Sequence, residues 1–280
     1  MLQIGNTQNL KVVKRVDFGV YLAESEEASA QERVLLPKSQ VRENISIGDT
    51  LNVFLYKDSK DRLIATVNTP AIKLHEVGKL RVASTTSIGA FLDWGLEKDL
   101  FLPFHEQTYR VKPDDEVLVA LYVDKSGRLC ATMKVYHYLK TESPYMKESR
   151  VEGTLYEISG NFGAFVAVDD CYSALIPKQE FIKDIPVGSH VTARVIDVKD
   201  DGKLTLSLRE KAYMQIASDS DAVMKVIDSY DGVLPFNDKA SPETIRREMN
   251  MSKNEFKRAV GNLLKTGRIE ITEKSIRRID

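Results

Sequence analysis

Through residue 209 the chain alternates apolar and polar positions in short runs, which is the period of β-strands. Asn9-Leu10-Lys11-Val12-Val13-Lys14-Arg15-Val16 is one run, Val151-Glu152-Gly153-Thr154-Leu155 a second and Leu204-Thr205-Leu206-Ser207-Leu208-Arg209 a third. Leu51, Val53 and Leu55 form an inward set, matched by Val117, Val119 and Leu121 and by Val191, Ala193 and Val195. Further on the period becomes helical: Val223, Val226, Ile227 and Tyr230, then Ile245 and Met249, then Phe256, Val260, Leu263 and Leu264. Short alternating runs return at Arg268-Ile269-Glu270-Ile271 and Ser275-Ile276-Arg277-Arg278-Ile279. The pattern predicts a long all-β part, then three helices and a β-hairpin.

The helix ends carry their own signals. Asp219 and Ser220 are placed to cap the first helix, with Gly232 and Pro235 ending it. Ser241-Pro242 starts the second with proline in its first turn. Ser252 with Glu255 three residues on is a capping-box spacing, and Gly267 stops the third.

The β part repeats. Asp17-Phe18-Gly19-Val20-Tyr21-Leu22, Ser87-Ile88-Gly89-Ala90-Phe91-Leu92 and Asn161-Phe162-Gly163-Ala164-Phe165-Val166 each end a strand, turn on glycine and begin another. Each is followed by a short apolar strand closing on a proline: Val34-Leu35-Leu36-Pro37, Leu100-Phe101-Leu102-Pro103 and Ala174-Leu175-Ile176-Pro177. A polar loop from Glu24 to Glu32 accounts for the greater glycine-to-proline distance in the first copy. A two-strand closer ends each copy, over 48–67, 114–133 and 188–208. Self-similarity at this period means repeated modules. Five strands with a glycine bend suit a small closed barrel of the oligonucleotide-binding (OB) type, since closure leaves few exposed edges. The three helices and hairpin that follow have the winged-helix arrangement.

The expected organisation is therefore multidomain: three all-β, five-stranded OB barrels at 1–69, 70–136 and 150–212, a linker at 137–149 with one short helical piece, and a small α/β winged-helix domain at 213–280.

Composition narrows the function. The chain is 42% apolar and 29% charged, and no apolar run approaches the roughly 18 residues of a membrane span. No basic segment followed by an apolar one opens it, and two isolated cysteines, Cys130 and Cys171, suit a reducing cytoplasm. There is no Cys-x-x-Cys, the four histidines are scattered, and no phosphate-loop, dinucleotide or nucleophile-elbow motif occurs. Asp114-Asp115 and Asp200-Asp201 read as turn residues. No metal, cofactor, small-molecule substrate, membrane or catalytic role is expected. A net charge of −1 argues against a strongly basic clamp but leaves room for aromatic stacking with a few local cations.

The order Phe-Gly-x-Phe, apolar-Leu-x-Pro, glycine turn and Leu-x-Leu-Ser-x-Arg resembles the S1 RNA-binding domain, itself an OB fold. Three such copies followed by a winged helix resemble the conserved virulence factor B family of bacterial RNA-binding regulators. The resemblance implies an RNA-binding face with two aromatics around the glycine and a cation on a later hairpin. These are Phe18, Tyr21 and Arg62 in the first copy, Phe91 and Arg128 in the second, and Phe162, Phe165 and Lys203 in the third. Ile88 replaces the first aromatic of the second copy, Lys199 replaces the hairpin acid of the third, and Pro37, Pro103 and Pro177 stand where many S1 domains carry a histidine.

Two rings three residues apart lie on opposite faces of a flat strand, so the glycine bend has to bring them together. In the winged-helix domain, Asn254, Arg258 and Lys265 fall opposite the apolar stripe of the third helix, and Arg268, Arg277 and Arg278 fall on the wing. The expected function is single-stranded RNA binding by tandem barrels in post-transcriptional control of gene expression, including virulence genes. Duplex nucleic acid or protein is a further partner for the winged helix. A protein-interaction scaffold and a winged-helix DNA-binding regulator are the alternatives; the first predicts indifference to salt and to Phe162→Ala, the second that residues 216–280 alone bind duplex.

Overall fold

The computed structural model describes residues 2–42, 44–181, 185–209 and 212–279, with the side chains of 212–215 left aside. The chain divides into two compact units, Met1–Leu208 and Arg209–Asp280.

The first unit holds three closed five-stranded barrels. The first is built from β1 (Thr7–Val16), β2 (Gly19–Ala23), β3 (Val34–Pro37), β4 (Thr50–Lys57) and β5 (Leu63–Thr66). The second uses β6 (Val77–Thr85), β7 (Gly89–Asp93), β8 (Leu100–Pro103), β9 (Glu116–Val123) and β10 (Leu129–Thr132). The third uses β11 (Arg150–Ser159), β12 (Gly163–Val168), β13 (Tyr172–Pro177), β14 (His190–Val198) and β15 (Leu204–Ser207). All three close in the order first, second, third, fifth, fourth, and the third and fifth strands are the parallel pair. This is the OB topology that the repeat predicts.

The repeated glycine and proline are cross-strand partners: Gly19 faces Pro37, Gly89 faces Pro103 and Gly163 faces Pro177. At Gly163 φ is 123°, and a Cβ would collide with the Ile176 carbonyl oxygen. Only glycine lets the two strands approach this closely. The residue three past each proline then ties the turn to the fifth strand. The Thr66 hydroxyl donates to Gln40 at 2.7 Å, Thr132 to Glu106 at 2.6 Å and Ser207 to Glu180 at 2.6 Å.

The barrels pack where alternation fails. On β4, Val53 to Tyr56 are all buried, and on β9, Val117 to Leu121 are all buried. Alternate members fill the barrels, and the others face neighbours. Phe54 and Tyr56 meet Trp94 of the second barrel edge-on at 5.7 and 6.3 Å, and the Trp94 indole N–H donates to the Lys98 carbonyl at 2.6 Å. Leu118 and Ala120 pack with Val135 and Leu139, and with Tyr156 and Ala167 of the third barrel. The short helical piece expected in the linker is a 3-10 turn at Val135–Tyr138, and it is part of this interface. Lys79 and Asp170 pair across the same boundary at 3.3 Å.

The second unit runs α1 (Ala212–Ser229), β16 (Val233–Leu234), α2 (Pro242–Met249), α3 (Lys253–Lys265), β17 (Ile269–Ile271) and β18 (Ile276–Arg278), with sheet order β16-β18-β17. It is a winged-helix domain, and its core includes Ile227, Ile245, Phe256, Leu263 and Ile276. The Ser252–Glu255 capping box is present in both directions, and Ser241 caps α2 through the Thr244 N–H.

Two details differ from the sequence reading. The first helix begins at Ala212, so Asp219 and Ser220 lie inside it rather than at its cap. The Ser220 hydroxyl bonds back to the Ile216 carbonyl at 2.6 Å and accepts from the Asn262 side chain at 3.1 Å, which satisfies it mid-helix. Leu264 is 47% exposed rather than inward, because Phe256, Ala259, Val260 and Leu263 complete the buried stripe. Among the described residues no helix is long and apolar enough to cross a membrane.

Candidate nucleic-acid interface

The turn before each repeat glycine presents an apolar side chain to solvent. Phe18 is 57% exposed, Ile88 63% and Phe162 63%. Their backbone is fixed: the Phe18 carbonyl accepts from Lys38 at 2.9 Å and the Phe162 carbonyl from Lys178 at 3.1 Å. An exposed ring on a hydrogen-bonded turn forgoes roughly 1.5–3 kcal/mol that burial would return, and it offers that face to a ligand.

The second ring of each pair stands outward on the next strand, and here the copies diverge. Tyr21 meets Phe18 edge-on at 6.4 Å, so the bend at Gly19 does bring the first pair to one face. Phe91 lies 5.2 Å from Phe101, its cross-strand partner on β8. Phe165 lies 5.8 Å from Tyr136 of the linker and 6.2 Å from Tyr156. The structure thus gathers Phe18 with Tyr21, while Phe165 turns toward the linker and Phe162 stays in solvent.

Each predicted cation has an acidic partner. Arg62 donates twice to Asp58, at 2.9 and 2.7 Å. Arg128 reaches Asp61 of the first barrel at 2.6 Å. Lys203 pairs with Asp201 at 2.8 Å and lies 5.9 Å over the Tyr136 ring; the Asp201 bond first, then Tyr136, raises its ammonium above the usual lysine range. Asp201 thereby supplies the acid missing at Lys199. The Arg128–Asp61 and Lys203–Asp201 pairs are solvent-accessible and add little to stability, so a phosphate can replace either carboxylate at small cost.

The second barrel's face opens on a groove of about 940 Å³ whose far wall belongs to the first barrel. Tyr56 and Lys57 of β4 stand on one side, and Phe91, Phe101, Tyr122 and Arg128 on the other. Burial pushes the Tyr122 hydroxyl up to about 12 and the Cys130 thiol up to about 11, which favours the uncharged form of both. His105 is exposed at the rim, 3.5 Å from Glu106.

On the winged helix, Asn254, Arg258 and Lys265 are exposed on α3, opposite its buried stripe. Arg268, Arg277 and Arg278 are exposed as well. Arg268 pairs with Asp221 at 3.1 Å and Arg278 with Asp228 at 3.0 Å. Acids of α1 therefore temper the wing's charge.

Sequence reasoning missed Phe101, Tyr136, Tyr56 and Asp61. A signal existed for Tyr56: β4 is apolar at every position from Val53 to Tyr56, which marks a strand covered on both faces.

Tandem OB barrels with exposed rings beside hairpin cations, followed by a winged helix, define a nucleic-acid-binding regulatory protein. The S1 domain profile matches residues 4–68 and 76–134, that of the virulence regulatory factor CvfB second domain 135–210, and that of the CvfB-like winged helix domain 221–277. The chain is 31% identical over 268 residues to conserved virulence factor B of Staphylococcus aureus, covering 89% of each. It is 32% identical over 275 residues to the uncharacterized protein YitL of Bacillus subtilis, covering 95% of this chain and 90% of that one. The chain belongs to the conserved virulence factor B family, whose second-domain profile is that of a virulence regulatory factor. A crystal structure of a multidomain protein with nucleic acid binding domains from Streptococcus pneumoniae has the same fold, with a TM-score of 0.51 at 23% identity over 99% of this chain and 98% of that one. The profile for the third barrel begins at residue 135 and so takes in the linker turn that packs beneath it.

Proposed function

We propose that this protein binds single-stranded RNA through its barrels and acts in the cytoplasm in post-transcriptional control of gene expression, with virulence genes among its targets. The observation that carries the reading is the Phe18–Tyr21 pair, two rings on one face of the first barrel with Phe18 more than half exposed. A base laid on such a ring contributes roughly 1–3 kcal/mol and needs no particular sequence. Phe162 and the Phe91–Phe101 pair offer two further platforms, and Arg62, Arg128 and Lys203 are the phosphate contacts. Tethering weak sites on one chain raises their effective concentration, so affinity does not require a basic protein. Arg258 and Lys265 on α3, with Arg277, add a cationic surface for a duplex portion of the same RNA.

The preference for RNA and the link to virulence rest on kinship with S1 domains and with the staphylococcal relative. Titration with RNA, single-stranded DNA and duplex RNA of one length separates the possibilities. Unstructured RNA is expected to bind most tightly. Equal affinity for single-stranded DNA would refute the RNA preference, and indifference to all three would favour a protein-docking scaffold.

A further inference from the structure

The three barrels make the turn between their last two strands from equivalent residues: Asp58 to Arg62, Asp124 to Arg128 and Lys199 to Lys203. In each, the first backbone N–H donates to the last carbonyl, at 3.0, 2.9 and 2.9 Å. The fourth residue is left-handed in all three. It is Gly127 in the second barrel and Gly202 in the third, with φ of 72° and 79°. In the first it is Asp61, at 59°. Left-handed backbone favours glycine and admits aspartate readily, so the first barrel keeps the turn and adds a carboxylate to it.

Its contact lies outside its own barrel. Asp61 holds Arg128, the second barrel's hairpin cation, at 2.6 Å, whereas Arg62 and Lys203 pair with acids of their own turns. Both side chains line the mouth of the groove that Phe91, Phe101 and Tyr122 also line. Bracing the two barrels does not require the pair. Trp94 is wedged against Phe54 and Tyr56, and the Lys98 ammonium donates to the Asp58 carbonyl at 2.9 Å. Arg128 and Asp61 are both substantially exposed, which makes their pair an exchangeable one.

We infer that Asp61 is an intramolecular stand-in for an RNA phosphate. Its carboxylate occupies Arg128 at the mouth of the groove between the first two barrels. Single-stranded RNA enters by displacing it, with a base on the Phe91–Phe101 face and a phosphate on Arg128. The first barrel thereby restrains the second barrel's site. This rests on the reading of the barrels as RNA-binding and adds to it a built-in competitor and a composite groove.

The test is fluorescence-anisotropy titration of unstructured RNA with the full-length protein, Asp61→Asn, Asp61→Gly, Arg128→Ala and the double variant Asp61→Asn/Arg128→Ala. Asparagine and glycine both fit the left-handed turn, so thermal melting is expected to stay unchanged. Both Asp61 variants are expected to bind roughly two- to fivefold tighter at one salt concentration. The log–log salt slope should stay within about 0.7 of the parent's, less than one phosphate contact, since RNA places a phosphate on Arg128 with or without the carboxylate. Arg128→Ala in the Asp61→Asn background should cancel the gain. An intact protein that binds RNA while the Asp61 variants bind no tighter would overturn the competitor. A gain that survives loss of Arg128 would overturn it too, since the carboxylate would then act by general repulsion. Absence of binding in every variant would instead strike the RNA reading itself.

Discussion

Phe165 and Tyr136 meet edge to face, 5.8 Å between ring centres at 83°. One ring belongs to the third barrel's predicted binding face and the other to the turn entering that barrel. The contact divides the labour between two phenylalanines that the sequence presents as a pair. Phe162 is free in solvent, whereas Phe165 is part of the packing between the second and third barrels. Phe165→Ala is therefore expected to destabilise the protein by about 1–3 kcal/mol, and Phe162→Ala by less than about 0.5 kcal/mol. Urea unfolding followed by circular dichroism checks this. Equal costs for the two would contradict the assignment.

Trp94 joins the first two barrels. It is 3% exposed, touches Phe54 and Tyr56 of the first barrel and donates to Lys98 of its own. Trp94→Ala is expected to cost about 3–5 kcal/mol and to open the adjoining groove. Trp94→Phe keeps an aromatic edge but loses the indole N–H, so an intermediate cost is expected. Stability within about 0.5 kcal/mol of the parent would show that the wedge is not structural.

Two hairpin turns confer a pH dependence. Burial raises the Asp58 carboxyl, but bonds from the Arg62 side chain and from the Arg62 and Lys60 N–H groups outweigh it. Burial likewise raises Asp124, and bonds from the Arg128 N–H and from Ser126 outweigh it. Both therefore sit below the ordinary value of 3.8. A carboxyl lowered by folding stabilises the fold fully above its unfolded pKa, and the contribution is lost as pH falls through the lower folded one. Denaturation midpoints should hold from about pH 7 to pH 5 and fall below about pH 4. Asp58→Asn/Asp124→Asn should show a smaller fall over the same window; an equal fall would assign the effect elsewhere.

Gly163→Ala tests the close pairing of β12 with β13. A methyl group there meets the Ile176 carbonyl oxygen, and the backbone has φ of 123°. A loss of at least about 3 kcal/mol is expected. Gly160→Ala is the control on the same turn, since nothing lies within 4 Å of its would-be Cβ. Similar stabilities for the two variants would contradict the account of the repeat.

Much of the fold was legible because each barrel repeats the physical devices that make it. Gly163 and Pro177 stand out by recurrence, and they prove to be cross-strand partners. Ser252 and Glu255 announce the start of α3 through spacing alone. Ser220 does not mark the start of the first helix, since a serine at a plausible cap is also satisfied mid-helix by the carbonyl four residues back. The site was legible by position but not by partner. An outward ring that stacks on RNA and one that packs on a neighbouring barrel obey the same alternation. Nothing local distinguishes Phe165, which meets Tyr136, from Tyr21, which meets Phe18. The broken alternation of β4 and β9 was the available clue, because Phe54, Tyr56, Leu118 and Ala120 fill positions that a solvent-facing strand leaves polar.

The central claim is that exposed rings on the barrels hold single-stranded RNA. The most direct measurement is anisotropy titration of an unstructured RNA at two salt concentrations with the intact protein and with Phe18→Ala/Tyr21→Ala. The account predicts binding by the intact protein that weakens with salt, and a loss of roughly fivefold or more in the variant, since each stacked base contributes about 1–3 kcal/mol. Unchanged affinity in a variant that remains folded would contradict it.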